Sequence, residues 1–314
     1  MNVTEKVIRE QFAFWQGAAS APLPQITQRT VVVVGCGTSF YLAQSIAAAF
    51  NEGGRRAIPV PGAEWARRMG TYLADRSDTL VIGLSRSGTT TETVQAIEAS
   101  RAAGLPTLAI SCEEGSTILQ AADRAIYLPT HKEEGIVMSV SASLMLIAGL
   151  RLAGVTPARA AEAAAAMAAV EGADDLLRGK GHFVYLGAGA MYGAANEGGL
   201  KLMEMSISLS QAFHPLEYRH GPISLIDEGS LVVMLYSAET AEEEAKVVAD
   251  VRAKGAKVIG FGGPGDLSVA LASKGPARAV EVLPALQLLG EKVALLKGLD
   301  TSQPRHLTKV VTLV

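Results

Sequence analysis

One strand pattern occurs twice, half a chain apart. VVVVGCG at 31–37 is matched by FVYLGAG at 183–189, and TLVIGLS at 79–85 by LVVMLYS at 231–237. Gly35 and Gly187, Gly37 and Gly189, and Ser85 and Ser237 are each 152 residues apart. One offset shared by two strands implies two copies of one supersecondary unit, which narrows the folds open to this chain before any other feature is weighed. The likeness continues with small drifts: RAAGLPTLAI at 101–110 parallels RAKGAKVIG at 252–260, and RAIYLP at 124–129 parallels RAVEVLP at 278–284.

The strand-like runs are short and unbroken, and helical patterns such as YLAQSIAAAF and TETVQAIEASRAAG separate them. Such runs are the mark of parallel strands covered by helices on both faces. Each half reads β-α-β-α-β-β-α. The expected fold class is therefore α/β, two tandem doubly wound parallel-sheet subdomains with an irregular C-terminal tail. TPARAAEAAAAMAAVEGADDLLRGKG at 156–181, alanine-rich and so strongly helix-forming, holds the boundary. The expected domains are residues 1–155, with an N-terminal helix at 5–15; residues 156–298; and a tail at 299–314.

Composition excludes several classes. Lysine plus arginine (28) nearly balances aspartate plus glutamate (31), for a net charge of −3, so no broad electropositive field exists for nucleic acid. No run reaches about 18 apolar residues, and residues 1–28 lack the apolar core of a secretory signal. No membrane partner is expected. Cys36 and Cys112 form no disulfide framework, and a reducing cytoplasm suits them. The five histidines show no metal-ligand spacing with cysteine or with one another, so neither metal nor cofactor is expected.

The two halves differ where chemistry would sit. GCGTS at 35–39 and SRSGTT at 85–90 each follow an apolar strand and open a helix, where small hydroxyl-bearing loops can wrap a phosphate. In SRSGTT, Ser85, Ser87 and Thr90 surround Gly88, and the Arg86 guanidinium can pair with phosphate oxygens; the same string is also an ordinary serine-rich helix cap. GCGTS contributes Cys36, Gly37, Thr38 and Ser39, and it is not a GxGxxG dinucleotide loop. The second half has only SAET at the position matching SRSGTT. It carries instead NEGGLKLMEM at 196–205, ionisable where the counterpart SIAAAFNEGG is apolar. Glu197, Lys201 and Glu204 are spaced four and three apart, so they share one helix face. That spacing fits a solvated ion-pair ladder, but the apolar, small-residue setting favours a packed cleft in which a carboxylate serves as a base.

Taken jointly, GCGTS, SRSGTT, EGGLKLMEMS, EYRHGP at 217–222 and PRHLTKV at 304–310 resemble the sugar isomerase (SIS) domain pair of glucosamine-6-phosphate synthase and its relatives. The resemblance runs from about residue 5 to the terminus. It implies that Glu204 moves a proton between C1 and C2, that His220 opens the sugar ring, that Lys309 forms a Schiff base or places the amino-bearing carbon, and that Lys201 assists at the oxygens. It also implies sugar contacts at Val137, Ser139 and Glu197, and a homodimer with shared active sites, the histidine entering from the neighbouring subunit. Two departures point away from the synthase. No nucleophilic cysteine follows Met1, so no glutamine hydrolysis is expected of this chain. Arg86 and Met138 stand where the synthase usually has glutamine and serine, although Ser139 and Ser141 lie close by.

The expected activity is that of an aminosugar-phosphate deaminase/isomerase, converting glucosamine 6-phosphate to fructose 6-phosphate and ammonia, reversibly at high ammonia. The alternatives are another ketose/aldose phosphate isomerase, a fructosamine-phosphate deglycase, an ammonia-dependent synthase without its glutaminase, and a sugar-phosphate sensor that binds without reacting. The presence of Glu204, His220 and Lys309 together argues against the sensor.

Overall fold

The computed structural model describes residues 1–311. Two helices, α1 (Val3–Glu10) and α2 (Phe12–Ser20), lead into the first repeat. It runs β1 (Thr30–Gly35), α3 (Thr38–Glu52), β2 (Arg56–Pro61), α4 (Gly62–Tyr72), β3 (Thr79–Ser85), α5 (Thr91–Ala102), β4 (Thr107–Ser111), α6 (Thr117–Ala121), β5 (Arg124–Tyr127) and α7 (Val140–Leu152). After the linking helices α8 (Ala160–Ala169) and α9 (Asp174–Leu177), the second repeat runs β6 (His182–Gly187), α10 (Ala190–Ser206), β7 (Leu209–Phe213), β8 (Ser230–Leu235), α11 (Ala241–Ala253), β9 (Lys257–Phe261), β10 (Leu267–Val269) and α12 (Ala277–Leu296). Two short 3₁₀ segments, Glu217–Arg219 and Pro222–Leu225, lie between β7 and β8.

The first sheet has the order β2-β1-β3-β4-β5 and the second β10-β9-β8-β6-β7. Every pairing is parallel. Counted from its own first strand and read from the other edge, the second sheet has the order of the first. The duplication is thus topological as well as sequential, and the fold class is the expected α/β pair. Val31 to Val34 are fully buried, as are Leu80 and Val81 in β3 and Phe183 and Val184 in β6. Burial on both sheet faces is why these strands lack polar alternation.

Three local expectations are corrected. Each half contains an additional strand, β2 or β7, and both are sheet edges. Pro59 and Pro61 hide β2 from a sequence reading, because proline removes a ladder donor; an edge strand tolerates this by pairing on one side only. β7, LSQAF, has no buried residue, and its central Ser210-Gln211 pair breaks the apolar run by which strands are read. RAVEVLP at 278–284, aligned with a strand in the repeat, belongs to helix α12. Nearly every residue of α12 from Ala277 to Glu291 is buried, so the helix shows no polar stripe and its apolar run is not distinguishable from a strand by periodicity.

Contacts divide the chain into two units. The first comprises Glu10–Pro157 with the described residues from Thr308 on, and the second comprises Met1–Arg9 with Ala158–Leu307. The start of the chain therefore packs with the second repeat, and the end of the tail with the first. Arg9 pairs with Glu171 and with Glu5. The Asn2 side-chain amide donates to Glu291 Oε1 at 2.6 Å and to Thr301 Oγ1 at 3.2 Å.

Glu291 is fully buried, and burial lifts its carboxyl above the ordinary glutamate range despite donation from Thr301 and Asn2. A carboxyl raised in the folded state favours folding fully below its unfolded pKa, and that contribution is lost as pH rises through the folded value. Urea unfolding followed over roughly pH 4 to 8 is expected to show stability falling as pH climbs out of the glutamate range. Glu291→Gln should flatten that fall.

Candidate active site

In the first sheet β1 lies between β2 and β3, so successive crossovers leave it in opposite directions. In open α/β sheets this switch point opens a crevice at the carboxyl ends of the two strands, where ligands bind. The segments that follow β1 and β3 there are GCGTS and SRSGTT.

Backbone geometry explains the glycines. Gly37 adopts φ 53°, ψ −126° at the start of α3, a conformation open to glycine alone. A Cβ on Gly35 would lie 2.6 Å from the Ser39 carbonyl carbon. The helix therefore begins hard against the strand end, with Thr38 and Ser39 buried in its first turn. In SRSGTT, Ser85 Oγ accepts from Gly88 N at 3.1 Å and lies 3.4 Å from Thr90 Oγ1, while Ser87 Oγ accepts from Thr89 N at 3.3 Å. Gly88 has φ 64°, and a Cβ there would fall 2.0 Å from Ser116 Oγ. The hydroxyl loop thus closes at the positive end of the α5 dipole, which favours an anion. Cys36 Sγ lies 3.5 Å from Thr93 Oγ1, and burial raises its thiol above the ordinary range, so it packs as a neutral thiol and not as a nucleophile.

The second unit preserves this backbone without the hydroxyls. Gly189 repeats the conformation of Gly37 at φ 54°, ψ −131°, and a Cβ on Gly187 would sit 2.5 Å from Met191 O. Ala188, Ala190 and Met191 replace Cys36, Thr38 and Ser39. After β8, the place matching SRSGTT is filled from within: Glu244 accepts from Ser237 N (2.9 Å), Ser237 Oγ (3.1 Å) and Thr240 Oγ1 (2.9 Å). Burial raises this carboxyl above its usual range in spite of those donors. A built-in carboxylate thus engages the donors of this loop, whereas the first repeat has the hydroxyl-rich loop.

On α10 the three ionisable residues share one face. Lys201 Nζ lies 3.5 Å from Glu197 Oε1 and also binds Glu204 Oε2. The side chains of Glu197 and Lys201 have no exposed surface, whereas that of Glu204 is 20% exposed. Of the three, Glu204 is the one open to a substrate. Lys201 pairs with it from a position sealed from solvent. Close packing makes the seal: Cβ atoms on Gly198 and Gly199 would meet Tyr185 Cε1 at 2.8 Å and Ser210 Oγ at 2.7 Å. His220, in the same unit, is exposed just after the 3₁₀ turn Glu217–Arg219.

Lys309 lies in the first unit, with the hydroxyl loops. Its Nζ donates to Glu134 O at 2.9 Å. Arg86, expected to pair with phosphate, directs its guanidinium to three carbonyls: Gly135 (3.0 Å), Ile136 (2.9 Å) and Lys309 (2.9 Å). The reason is burial: at 8% exposure the guanidinium satisfies its fan of donors on nearby backbone. Ser139 is buried and donates through N (2.7 Å) and Oγ (3.3 Å) to Glu134 Oε1, and Val137 is buried in the same loop.

Sequence reasoning missed Glu134. Its side chain is 2% exposed and accepts from Ser139, from Ser141 N and Oγ (3.0 and 3.1 Å), and from Thr130 Oγ1 (2.9 Å). The signal was an acid placed shortly before an S-x-S pair at a helix start, where orphan backbone donors need an acceptor. Among the described residues, no cluster of His, Cys, Asp and Glu is arranged to hold a metal ion, and no helix is long and apolar enough to cross a membrane.

Lys201→Met should cost about 3 to 5 kcal/mol in urea unfolding, because it removes the buried cation paired with both Glu197 and Glu204. Gly88→Ala should cost about 2 to 4 kcal/mol through left-handed backbone strain and the forced displacement of Ser116. The same measurement on each variant checks both.

The SIS domain family model matches residues 26–152 and 176–273, one segment in each repeat. Among curated relatives, the glutamine–fructose-6-phosphate aminotransferase (isomerizing) of Pseudomonas putida is 32% identical over 90% of this chain and 52% of its own length. That of Pyrobaculum aerophilum is 29% identical over 91% of this chain and 52% of its own. The chain thus spans about half the length of the curated relatives it matches. Among solved structures, glucosamine-6-phosphate deaminase from Thermotoga maritima superposes with a TM-score of 0.85 at 29% identity, covering 99% of this chain and 100% of its own. Tagatose-6-phosphate ketose/aldose isomerase from Escherichia coli shares the fold, with a TM-score of 0.81 at 23% identity over 95% of this chain and 93% of its own. With the model matched in both repeats and the two sheets built alike, this chain belongs to the SIS domain family.

Proposed function

We propose that the protein is a phosphosugar isomerase that deaminates glucosamine 6-phosphate to fructose 6-phosphate and ammonia. The observation that carries this reading is the partly exposed Glu204 backed by a sealed Lys201 on α10, in a chain whose other repeat keeps a hydroxyl loop suited to phosphate. The resemblance to the Thermotoga deaminase, at 29% identity, supports deamination.

In this reading Cys36, Gly37, Thr38, Ser39, Ser85, Ser87 and Thr90 surround the phosphate through backbone and hydroxyl groups, which fixes the sugar for reaction. His220 opens the ring to the aldehyde. Glu204 removes the C2 proton, the C1 carbonyl oxygen gains a proton, and the resulting enolamine takes the proton back at C1. The product is a C2 imine. Water adds to that imine near Lys309 and expels ammonia, leaving the C2 ketone; glucosamine 6-phosphate and water thus balance fructose 6-phosphate and ammonia. The protein acts as a homodimer in the cytoplasm.

A base of this kind contributes about 10² to 10⁴ in rate. Glu204→Gln is expected to lower ammonia release from glucosamine 6-phosphate by that factor while KM changes little. Formation of a ketose from a hexose 6-phosphate with no ammonia from the amino sugar would instead favour a plain ketose/aldose isomerase. Full turnover by Glu204→Gln would remove Glu204 as the base.

A further inference from the structure

The contacts of Arg86 extend beyond its own loop. Its backbone is fixed at the end of β4: Arg86 O accepts from Cys112 N at 3.1 Å and from Ser111 Oγ at 3.2 Å. Its neighbours Ser85 and Ser87 supply the loop hydroxyls. Its side chain grips two other segments, the 135–136 backbone through two carbonyls and the tail through the carbonyl of Lys309. The tail returns a bond, because Lys309 Nζ donates to Glu134 O, the carbonyl preceding Gly135. The Glu134 carboxylate in turn holds Thr130, Ser139 and Ser141. Hydroxyl loop, 130–141 segment and tail are therefore joined in one hydrogen-bonded circuit, with a single guanidinium at the crossing.

We propose that Arg86 is a positioning residue that holds the lysine-bearing tail against the hydroxyl loop and so sets where the Lys309 amine stands. Only a planar group with several fixed donors meets three carbonyls from two segments at once; a lysine ammonium reaches fewer of them, and a glutamine amide has two N–H groups. Among the described tail residues, Thr308, Lys309 and Val311 are exposed. The catalytic consequence of this placement rests on the proposed deamination, whereas the placement itself does not.

The test compares wild type with Arg86→Ala and Arg86→Lys in the full chain. Tryptic release of the tail at Arg305 and Lys309, followed by mass spectrometry, reads placement directly. Loss of charge-assisted bonds predicts release about tenfold faster or more in Arg86→Ala, with Arg86→Lys between the two. Ethylguanidinium should slow release from Arg86→Ala and restore part of its turnover. With glucosamine 6-phosphate, kcat normalised to the folded fraction should fall while KM stays within about threefold. Tail release at the wild-type rate in a folded Arg86→Ala would overturn the proposal; should that variant not fold, wild-type release in Arg86→Lys overturns it equally. If the wild type makes no ammonia, the deamination reading fails, and the release assay still decides the role of Arg86.

Discussion

Each repeat turns on one close approach: a helix that begins against the end of the first strand with no room for a side chain between them. Gly35 and Gly187 permit the contact, and Gly37 and Gly189 provide the left-handed turn that starts the helix. Because the first strand lies inside the sheet, this turn opens at the switch point, the place where an open α/β sheet offers a crevice. The crevice follows from topology, and its occupant follows from the few residues that line it. Thr38 and Ser39 make one version polar, whereas Ala190 and Met191 make the other apolar.

The repeats then diverge by electrostatics. In the first, the loop after β3 is left with hydroxyls and a helix dipole. In the second, Glu244 supplies the anion from the protein's own chain. The second repeat places its ionisable residues on α10 instead, where sealing Lys201 between Glu197 and Glu204 leaves a single carboxylate exposed. The hydroxyl loops and the buried ionisable face thus fall in different copies of one scaffold.

Much of this was legible from residue order. The 152-residue offset disclosed the duplication, and helical spacing put Glu197, Lys201 and Glu204 on one face. The edge strands β2 and β7 escaped notice because edges tolerate proline and interrupted apolar runs, and α12 passed for a strand because burial on all sides erased its period. Glu134 escaped because its importance lies in the number of donors it accepts, which is a property of packing.

The sequence alone determined the two-repeat α/β fold, the hydroxyl loops and the shared face on α10, since these depend on local spacing and on the strong, short-range preferences of glycine, serine and apolar runs. Only the tertiary structure decided that Arg86 turns to three carbonyls, that Glu244 fills the second loop, and that the chain's first residues pack with the second repeat and its last described ones with the first. Those outcomes rest on which buried donors and acceptors find one another across long separations in the chain. No local pattern encodes that choice, because an unsatisfied polar group is penalised only after folding has removed water from around it.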